Sequence, residues 1–328
     1  MANKTVPATI KHRRATAAEW ESTNYVLAEG EIGYDTTSKV TKIGDGSTPW
    51  KALPFFATTD LSFSKASWGQ IAALSEGGSA SKYFSVGDEK TIELTTGEEI
   101  TLVILGFNHD DLASGGKAGI TIGMKNLLAT TYKMNSSNTN AGGWNGSAMR
   151  TSTMATLLSQ LPADLRNVIK QVNKKATAGS QSTTITTSVD KLFLFALAEL
   201  ASKTGLENST GTSIKNNAAT YEQEGTQYEY FKNTVGDADI YKACPALVKK
   251  LSNGGGSAYN WWLRSPNLGN STNFWYVNPS GDVNNNNASN SNGVSFGFCI
   301  RYRLDKVTLR GRNQCLCKRG AQPFRKDK

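Results

Sequence analysis

Apolar and polar residues alternate in short stretches over residues 1–56, and this pattern predicts a small, turn-rich module. Thr16 followed by Glu19 has the spacing of a capping box, so a short helix is predicted over residues 15–21. A module of this size buries little surface, so its apolar side chains suit a small core and a subunit interface equally well. Those apolar residues are Val26, Leu27, Ile32, Val40, Ile43 and Trp50.

Two stretches of the module have the period of a β-strand. Residues 31–34 form the first, and the second ends at Ile43. A turn over 35–39 separates them, so the pattern predicts a β-hairpin.

The rest of the chain mixes helical spacing with short alternating strands, which predicts an α+β fold. Its helices are expected to lie against a short antiparallel sheet with long irregular loops. Residues 202–237 are polar and predict a long insertion. The predicted helices span 68–74, 149–160 and 163–174, and the predicted strands span 91–94, 99–105, 192–195, 261–264, 274–277 and 296–301.

These patterns divide the chain into four parts: the module at 1–56, a linker with a short helix at 57–85, a larger domain at 86–302 and a basic tail at 303–328. The net charge of +9 is concentrated at the C-terminus. From Arg301 onward, ten basic residues face two acidic ones, a net +8. Such a tail is an ordered strap, a disordered end or a segment that contacts nucleic acid or an anionic cell surface, and nucleic acid is not expected as the main partner.

Few residues are available for catalysis, because the chain has two His and few clustered acids. The four cysteines, Cys244, Cys299, Cys315 and Cys317, do not make a disulfide framework and predict free thiols. No cofactor, metal or enzymatic activity is expected. The N-terminus lacks the apolar region of a secretory signal, and the longest apolar run, 192–200, is too short to span a bilayer, so no membrane insertion is expected.

An asparagine-rich segment holds the candidate chemistry. Twelve asparagines lie between Asn253 and Asn292, interleaved with aromatic residues. Asn offers amide donors and an acceptor on a short side chain, and aromatic rings supply contact area at low entropy cost. A flexible low-complexity loop is the alternative, but such loops seldom contain a Trp-Trp pair beside an apolar strand.

This composition predicts a ligand-binding surface on a rigid scaffold. The expected ligand-binding residues are Asn267, Leu268, Gly269, Asn270, Asn273, Trp275, Tyr276, Asn278, Ser280, Asp282, Asn284, Asn285, Asn286, Asn287, Asn290 and Asn292. The expected scaffold residues are Trp261, Trp262, Arg264, Phe296 and Phe298. At the period of a strand, one of the two adjacent tryptophans points inward.

Several blocks of the larger domain carry a resemblance: LGFNHDDL, GMKNLLATTY, NAGGWN, QLPADLRNVIKQVNKK, WWLRSP and NGVSFGFC. Together they resemble a domain of unassigned function common in bacterial genomes and prophages, over roughly 66–302. That domain is similar to the C-type-lectin-like group related to formylglycine-generating enzymes, which implies that fold here.

The asparagine-rich segment also resembles the variable region of proteins diversified by retroelements. Those systems miscopy adenines, so the resemblance implies that positions reachable from an Asn codon are variable. Trp275 cannot be reached in this way, so it has another template codon or belongs to the scaffold. In many such proteins the variable region ends the chain, whereas this chain continues beyond Tyr302.

In the N-terminal module, RRATAAEW, NYVLAEGEIGYD and KIGDGSTPW resemble the N-terminal domain of phage major tropism determinants and related tail-fibre proteins. The resemblance implies tail attachment and often a homotrimer. Both resemblances imply a phage tail protein, made in the host cytoplasm and carried in the virion, that binds a protein or glycan receptor on a bacterial surface. Its other expected partners are phage tail proteins.

Three alternatives remain open. An enzyme like the formylglycine-generating relatives needs a pair of reactive cysteines, but Cys299 lies in a predicted strand. A calcium-dependent lectin needs several converging oxygen ligands, for which Asp110-Asp111 and 143–145 are the suggestive places, so recognition without calcium is expected. A structural tail protein would have no variable site at all.

Overall fold

The computed structural model describes residues 12–53, 56, 61–76, 78–253 and 256–301. The predicted basic tail at 303–328, with Cys315 and Cys317, lies outside the described residues.

The N-terminal module contains one helix and a three-stranded sheet. Its elements are β1 (Arg13–Ala15), α1 (Ala17–Thr23), β2 (Ile32–Asp35) and β3 (Val40–Ile43). β1 runs parallel to β2, and β2 and β3 form the predicted antiparallel hairpin. The predicted capping box is confirmed, because Thr16 Oγ1 accepts from the Glu19 backbone N–H and Glu19 accepts from that of Thr16.

Two stacked tryptophans form the centre of this module. The rings of Trp20 and Trp50 lie 3.9 Å apart and nearly parallel, with Leu27 and Leu53 against them. Gly33 is required here, since a Cβ at this position would lie 2.5 Å from the Trp50 ring. Of the apolar residues that suited a core or an interface, Leu27, Val40 and Trp50 are buried, whereas Val26 is 40% exposed.

The larger part of the chain alternates short helices and strands, and the α+β class is confirmed. The helices are α2 (Trp68–Glu76), α3 (Gly143–Gly146), α4 (Met154–Gln160), α5 (Ala163–Val168), α6 (Leu197–Leu200), α7 (Lys203–Glu207), α8 (Thr212–Asn216), α9 (Ala218–Tyr221) and α10 (Glu229–Thr234). The strands are β4 (Glu89–Glu93), β5 (Glu99–Phe107), β6 (Ile120–Met124), β7 (Tyr132–Lys133), β8 (Ile169–Lys170), β9 (Val172–Gly179), β10 (Ser182–Asp190), β11 (Leu192–Leu194), β12 (Trp261–Pro266), β13 (Asn273–Val277), β14 (Val283–Asn287), β15 (Ser291–Asn292) and β16 (Phe296–Ile300). A π-helical turn, Met149–Thr153, precedes α4.

The central sheet has the strand order β11-β16-β6-β5-β4, and β8 also pairs with β16. Every residue of β6 and β16 is buried, so these strands are covered on both faces. The strands predicted at 91–94 and 99–105 are confirmed as the antiparallel pair β4 and β5, with Gly97 in the left-handed conformation at the turn between them. α2 closes one face: the Ser75 hydroxyl donates to the Ile300 carbonyl, and the Trp68 ring meets the Phe298 ring edge-on.

The boundary between linker and larger domain is earlier than the sequence predicted. Phe63, Trp68, Ile71 and Phe84 all belong to the large hydrophobic core. The predicted linker over 57–85 is therefore wrong for this stretch, because its apolar side chains are part of the domain.

Two further predictions of local structure are wrong in an instructive way. The predicted helix over 163–174 ends at Val168, because the following residues alternate buried and half-exposed and pair as β9 with β10. The predicted polar insertion over 202–237 folds into short helices. Its sparse apolar residues, including Tyr221 and Phe231, are inserted into the main core.

A network of buried charges lies between the central sheet and the smaller sheet β12-β13-β14. Arg264 makes a two-pronged pair with Glu199, and all its N–H groups are engaged, the others reaching the carbonyls of Lys175, Leu194 and Glu224. Burial alone would raise the pKa of Glu199, but the charges of Arg264 and then Lys174 outweigh it and hold that pKa below its usual value.

The network continues through Lys174 to Asp110, which follows β5, and to Tyr228. The Lys174 ammonium donates to Asp110 at 2.6 Å, to Glu199 at 2.5 Å and to the Tyr228 hydroxyl at 3.0 Å. Nearby, burial raises the pKa of Glu224 to about 7, although Ser265 and the Thr177 backbone donate hydrogen bonds to its carboxyl group.

Replacing Arg264 by Leu should lower the free energy of unfolding by about 3–5 kcal/mol, because Glu199 would keep a buried charge without its main partner. Urea unfolding would measure the loss. Lys203→Gln is the matched control, since Lys203 pairs with Glu207 and Glu222 on the surface and its loss should hardly move the midpoint. Equal shifts for both variants would contradict the role of the buried pair.

Glu224 should make stability depend on pH. Its pKa is higher in the folded chain than the usual 4.5, so its contribution is full below pH 4.5 and is lost as the pH rises through about 7. The side chain in Glu224→Gln is neutral at every pH. The melting temperature of this variant minus that of the unmodified protein should therefore rise between pH 5 and pH 8, the range set by the usual pKa of 4.5 and the folded pKa of about 7. Calorimetry would measure both melting temperatures, and a difference that does not change with pH would contradict this prediction.

Candidate functional site

The candidate ligand-binding residues lie along one border of the small sheet β12-β13-β14. β13 is the middle strand, and β14 pairs only with β13 among the described strands. The asparagine run 284–287, for which no strand was predicted, forms most of β14. The site is therefore an edge strand flanked by the loop at 267–272 and the turn at 278–282.

Most of the candidates can be reached from solvent. They include the whole polar length of β14 and both flanking turns. The exposed or half-buried candidates are Gly269, Asn270, Asn273, Tyr276, Asn278, Ser280, Asp282, Asn284, Asn285, Asn286, Asn287 and Asn290.

Two candidates, Trp275 and Leu268, are buried, so their predicted place on the binding surface is wrong. Both depend on Tyr221 of α9. Its hydroxyl accepts from the Trp275 indole N–H at 2.8 Å and from the Leu268 backbone N–H at 3.0 Å. Trp275 therefore fixes the sheet to α9 and cannot touch a ligand in this conformation.

Asn267 and Asn292 are also buried, and the prediction is wrong for them too. The Asn267 side chain builds the loop, since its Oδ1 accepts from the Gly269 backbone N–H at 2.7 Å and from the Ser213 hydroxyl at 3.0 Å. Asn292 lies in β15, paired with Tyr132 of β7. Asparagine type alone does not distinguish a residue that builds a turn from one that faces solvent.

The five expected scaffold residues are all buried: Trp261, Trp262, Arg264, Phe296 and Phe298. Both adjacent tryptophans are inside, which the period of a strand did not predict. The Trp261 indole donates to the Leu247 carbonyl on one face of the sheet, and the Trp262 indole donates to the Tyr132 carbonyl on the other. Both faces of β12 are covered, so alternation gives no exposed side.

Asn140, which the sequence analysis did not single out, holds the loop at 267–273 in place. Its side-chain amide donates to the Asn270 carbonyl at 2.9 Å and the Asn273 carbonyl at 2.8 Å. Its Oδ1 accepts from the Ser180 backbone N–H, at the tip of the β9–β10 hairpin. Asn140 is fully buried, and its position before a Gly-Gly pair was the only local signal in the sequence.

The outer edge of β14 is blunted by its own side chains. In an antiparallel edge strand, alternate N–H groups point away from the partner strand. That of Val283 donates to the Ile240 carbonyl, that of Asn285 to the Oδ1 of Asn284, and that of Asn287 to the Oδ1 of Asn286. Alternate asparagines thus satisfy the donors that would otherwise invite another strand.

Other asparagine side chains are tied to one another. Asn273 donates to the Oδ1 of Asn285 at 2.6 Å, across the two strands. In the turn, Asn278 donates to Asp282 at 2.5 Å. These bonds favour an ordered surface over a flexible polar loop.

A few groups on this border have no internal partner among the described residues. The Asn287 side chain makes no hydrogen bond there, and neither does the Tyr276 hydroxyl. The Tyr276 ring rests edge-on against Trp262, 6.2 Å between centroids. Burial, and then the Asp282 charge, raise the pKa of Tyr276, so its hydroxyl stays protonated and can donate.

A polar cavity of about 510 Å³ lies beside the charge network, and it is the place where catalysis would be sought. His109, Asp110, Lys174 and Glu199 line it, but the charges of the last three are used in mutual ion pairs. Cys299 is buried next to Asp110; burial, and then the Asp110 charge, raise the pKa of its thiol well above the usual value. A protonated thiol is a poor nucleophile.

The oxygen atoms of Asp110, Asp111 and residues 143–145 do not converge on one point where a calcium ion could bind. Asp110 is bound by Lys174, and Asp111 pairs with Lys117 at 2.8 Å on the surface. The Trp144 indole donates to Asp190 instead. Among the described residues, no group of three or more His, Cys, Asp or Glu side chains is placed to hold a metal ion.

Removing the acceptors at Asn284 and Asn286 together should make the protein self-associate. In Asn284→Ala/Asn286→Ala the outward N–H groups of β14 lose their partners, so edges of two molecules can pair. Light scattering over a range of concentrations would detect this. Asn285→Ala/Asn287→Ala is the matched control, because those side chains accept no hydrogen bond from a backbone N–H of the strand. This control should stay as dispersed as the unmodified protein. Equal association of both double variants would rule out the capping effect.

Comparison with known proteins adds the context that the geometry lacks. No curated protein and no solved structure matches the chain significantly. Residues 10–48 match the major tropism determinant N-terminal domain, which indicates a phage tail tropism protein. Within the described residues, no helix is both long and apolar enough to cross a membrane. Residues 119–302, more than half of the chain, match the domain of unknown function DUF6273, and the chain belongs to that family.

Proposed function

We propose that this protein is a phage tail receptor-binding protein whose DUF6273 domain contacts the surface of a host bacterium along the β14 border. The match of residues 10–48 to the major tropism determinant N-terminal domain is the observation that carries the proposal. The ordered but partly unengaged amides of β14 support it, because they leave donors and acceptors free for a ligand.

The contact surface consists of the accessible candidates on both sides of β14. Asn287 and Tyr276 offer polar groups on opposite faces of the sheet, and neither group has an internal partner among the described residues. The rigid support beneath them is the layer of Trp262, Trp275 and Tyr221, which holds the backbone while the outer side chains differ. Preorganisation of this kind lowers the entropy lost on binding.

Further parts of the proposal concern assembly and origin. The N-terminal module attaches the chain to other tail proteins as a homotrimer, which would multiply a modest affinity at each site. The domain has a C-type-lectin-like scaffold, works without calcium and is diversified by a retroelement at its accessible asparagines. The protein has no catalytic role, a proposal supported by the protonated, buried thiol of Cys299.

Adsorption of the purified full-length chain to a panel of bacteria tests the proposed function. On a strain that binds the unmodified protein, Asn287→Trp should reduce binding at least about tenfold, because a bulky ring would cover the border of β14. Its melting temperature should stay unchanged, since the Asn287 side chain is exposed.

Val189→Ala is the matched control, because Val189 is an exposed apolar residue at the far end of β10. It should adsorb like the unmodified protein, with or without a calcium chelator. Adsorption to no strain at all would contradict receptor binding and favour a structural tail protein. For diversification, the decisive observation is a nearby reverse-transcriptase gene with a copy of the coding sequence for 260–302 that differs only at adenines.

A further inference from the structure

The border of β14 is almost free of charge. From Asn267 to Asn292 the chain has no basic residue, and Asp282 is its only acidic one. The Asp282 carboxylate already accepts from the Asn278 amide and the Ser280 hydroxyl. A ligand there therefore meets amides and hydroxyl groups and, from this segment, a single charge, the hydrogen-bonded carboxylate of Asp282.

An exposed tyrosine from another element flanks the same border. Tyr241 follows Ile240, whose carbonyl accepts from the outward N–H of Val283 in β14. The Tyr241 ring is 38% exposed and lies flat on Gly211, where a Cβ would be 2.5 Å from a ring carbon. Its backbone N–H donates to Asp239 at 3.0 Å, so the main chain that carries this ring is anchored beside Gly211.

We infer that the ligand of this surface is a neutral polysaccharide, with Tyr241 as a ring platform outside the asparagine-rich segment. The inference rests on the proposed function. Sugar hydroxyl groups match side-chain amides as donors and acceptors, and the apolar face of a sugar ring packs against an immobile aromatic ring.

The charge distribution favours this ligand over an anionic polymer. A polyanion needs a surface of Lys and Arg side chains, whose pull weakens with salt. Lys215 of α8 and Lys242, which follows Tyr241 in the chain, lie outside the asparagine-rich segment. A protein receptor would more often be bound through a desolvated apolar centre, whereas the large aromatic side chains Trp262 and Trp275 are buried here.

The test uses polysaccharide released from an adsorbing strain and divided by anion exchange into neutral and acidic fractions. We expect the full-length protein to bind the neutral fraction with an affinity that high salt does not reduce. We also expect periodate oxidation of the cells to abolish adsorption and protease treatment to leave it intact. Binding to the acidic fraction with a strong salt dependence, or loss of adsorption after protease treatment, would overturn the inference while leaving receptor binding in place.

Variants at Tyr241 test the ring itself. Tyr241→Ala should weaken binding to the neutral fraction by about tenfold or more, whereas Tyr241→Phe should retain most of the affinity. Gly211→Ala should mimic Tyr241→Ala by displacing the ring, because the backbone of Gly211 is one that alanine adopts readily. Val189→Ala is again the control. Unchanged affinity in both Tyr241→Ala and Gly211→Ala would refute the platform, and no neutral-fraction binding by the unmodified protein would refute the ligand class.

Discussion

The pair between Arg264 and Glu199 is the interaction on which the rest of the domain depends. Both side chains are almost completely buried, so each would be very costly without the other. Arg264 belongs to β12, and its guanidinium also donates to carbonyls in β9, in β11 and in the segment before α10. One side chain thus joins the small sheet to the strands and helices around it. The geometry tolerates little change, because every donor has a fixed acceptor.

The surface sheet is held by a second set of polar contacts built on this centre. Tyr221 satisfies Trp275 and the backbone of Leu268, and Asn140 satisfies the loop carbonyls beyond it. The exposed asparagines are therefore held in an ordered conformation by the buried residues Tyr221 and Asn140. Side chains at the border can differ without disturbing these anchors, since none of the anchors is itself exposed.

The sequence predicted those elements whose signals are local. The capping box of Thr16 and the apolar strands β5, β11 and β16 need only neighbouring residues to be recognised. β6, in the middle of the same sheet, was not predicted. Prediction from the sequence failed where tertiary contacts decide. Lys174 lies in a stretch whose apolar spacing predicts a helix. In the fold it belongs to a strand, and this position lets its ammonium pair with the buried carboxylates of Asp110 and Glu199.

For the candidate site, the sequence located the segment but not the orientation of each side chain. Asparagine is disfavoured in strands, so no strand was predicted for residues 284–287. Pairing with β13 outweighs this low strand propensity. Asn267 and Asn287 are the same residue type, yet one is buried in its own loop and the other faces solvent. Only the hydrogen-bond partners distinguish them, and those partners are distant in the chain.

The capping of β14 by its own asparagines restricts which side chains this strand can carry. Positions 284 and 286 must keep a side-chain oxygen near the next N–H, whereas 285 and 287 carry no such duty. An apolar residue at 284 or 286 would therefore lower solubility. An apolar residue at 285 or 287 would change only the contacts that the strand offers. Among related chains, positions 285 and 287 are therefore expected to vary widely, and positions 284 and 286 to keep residue types with a side-chain oxygen.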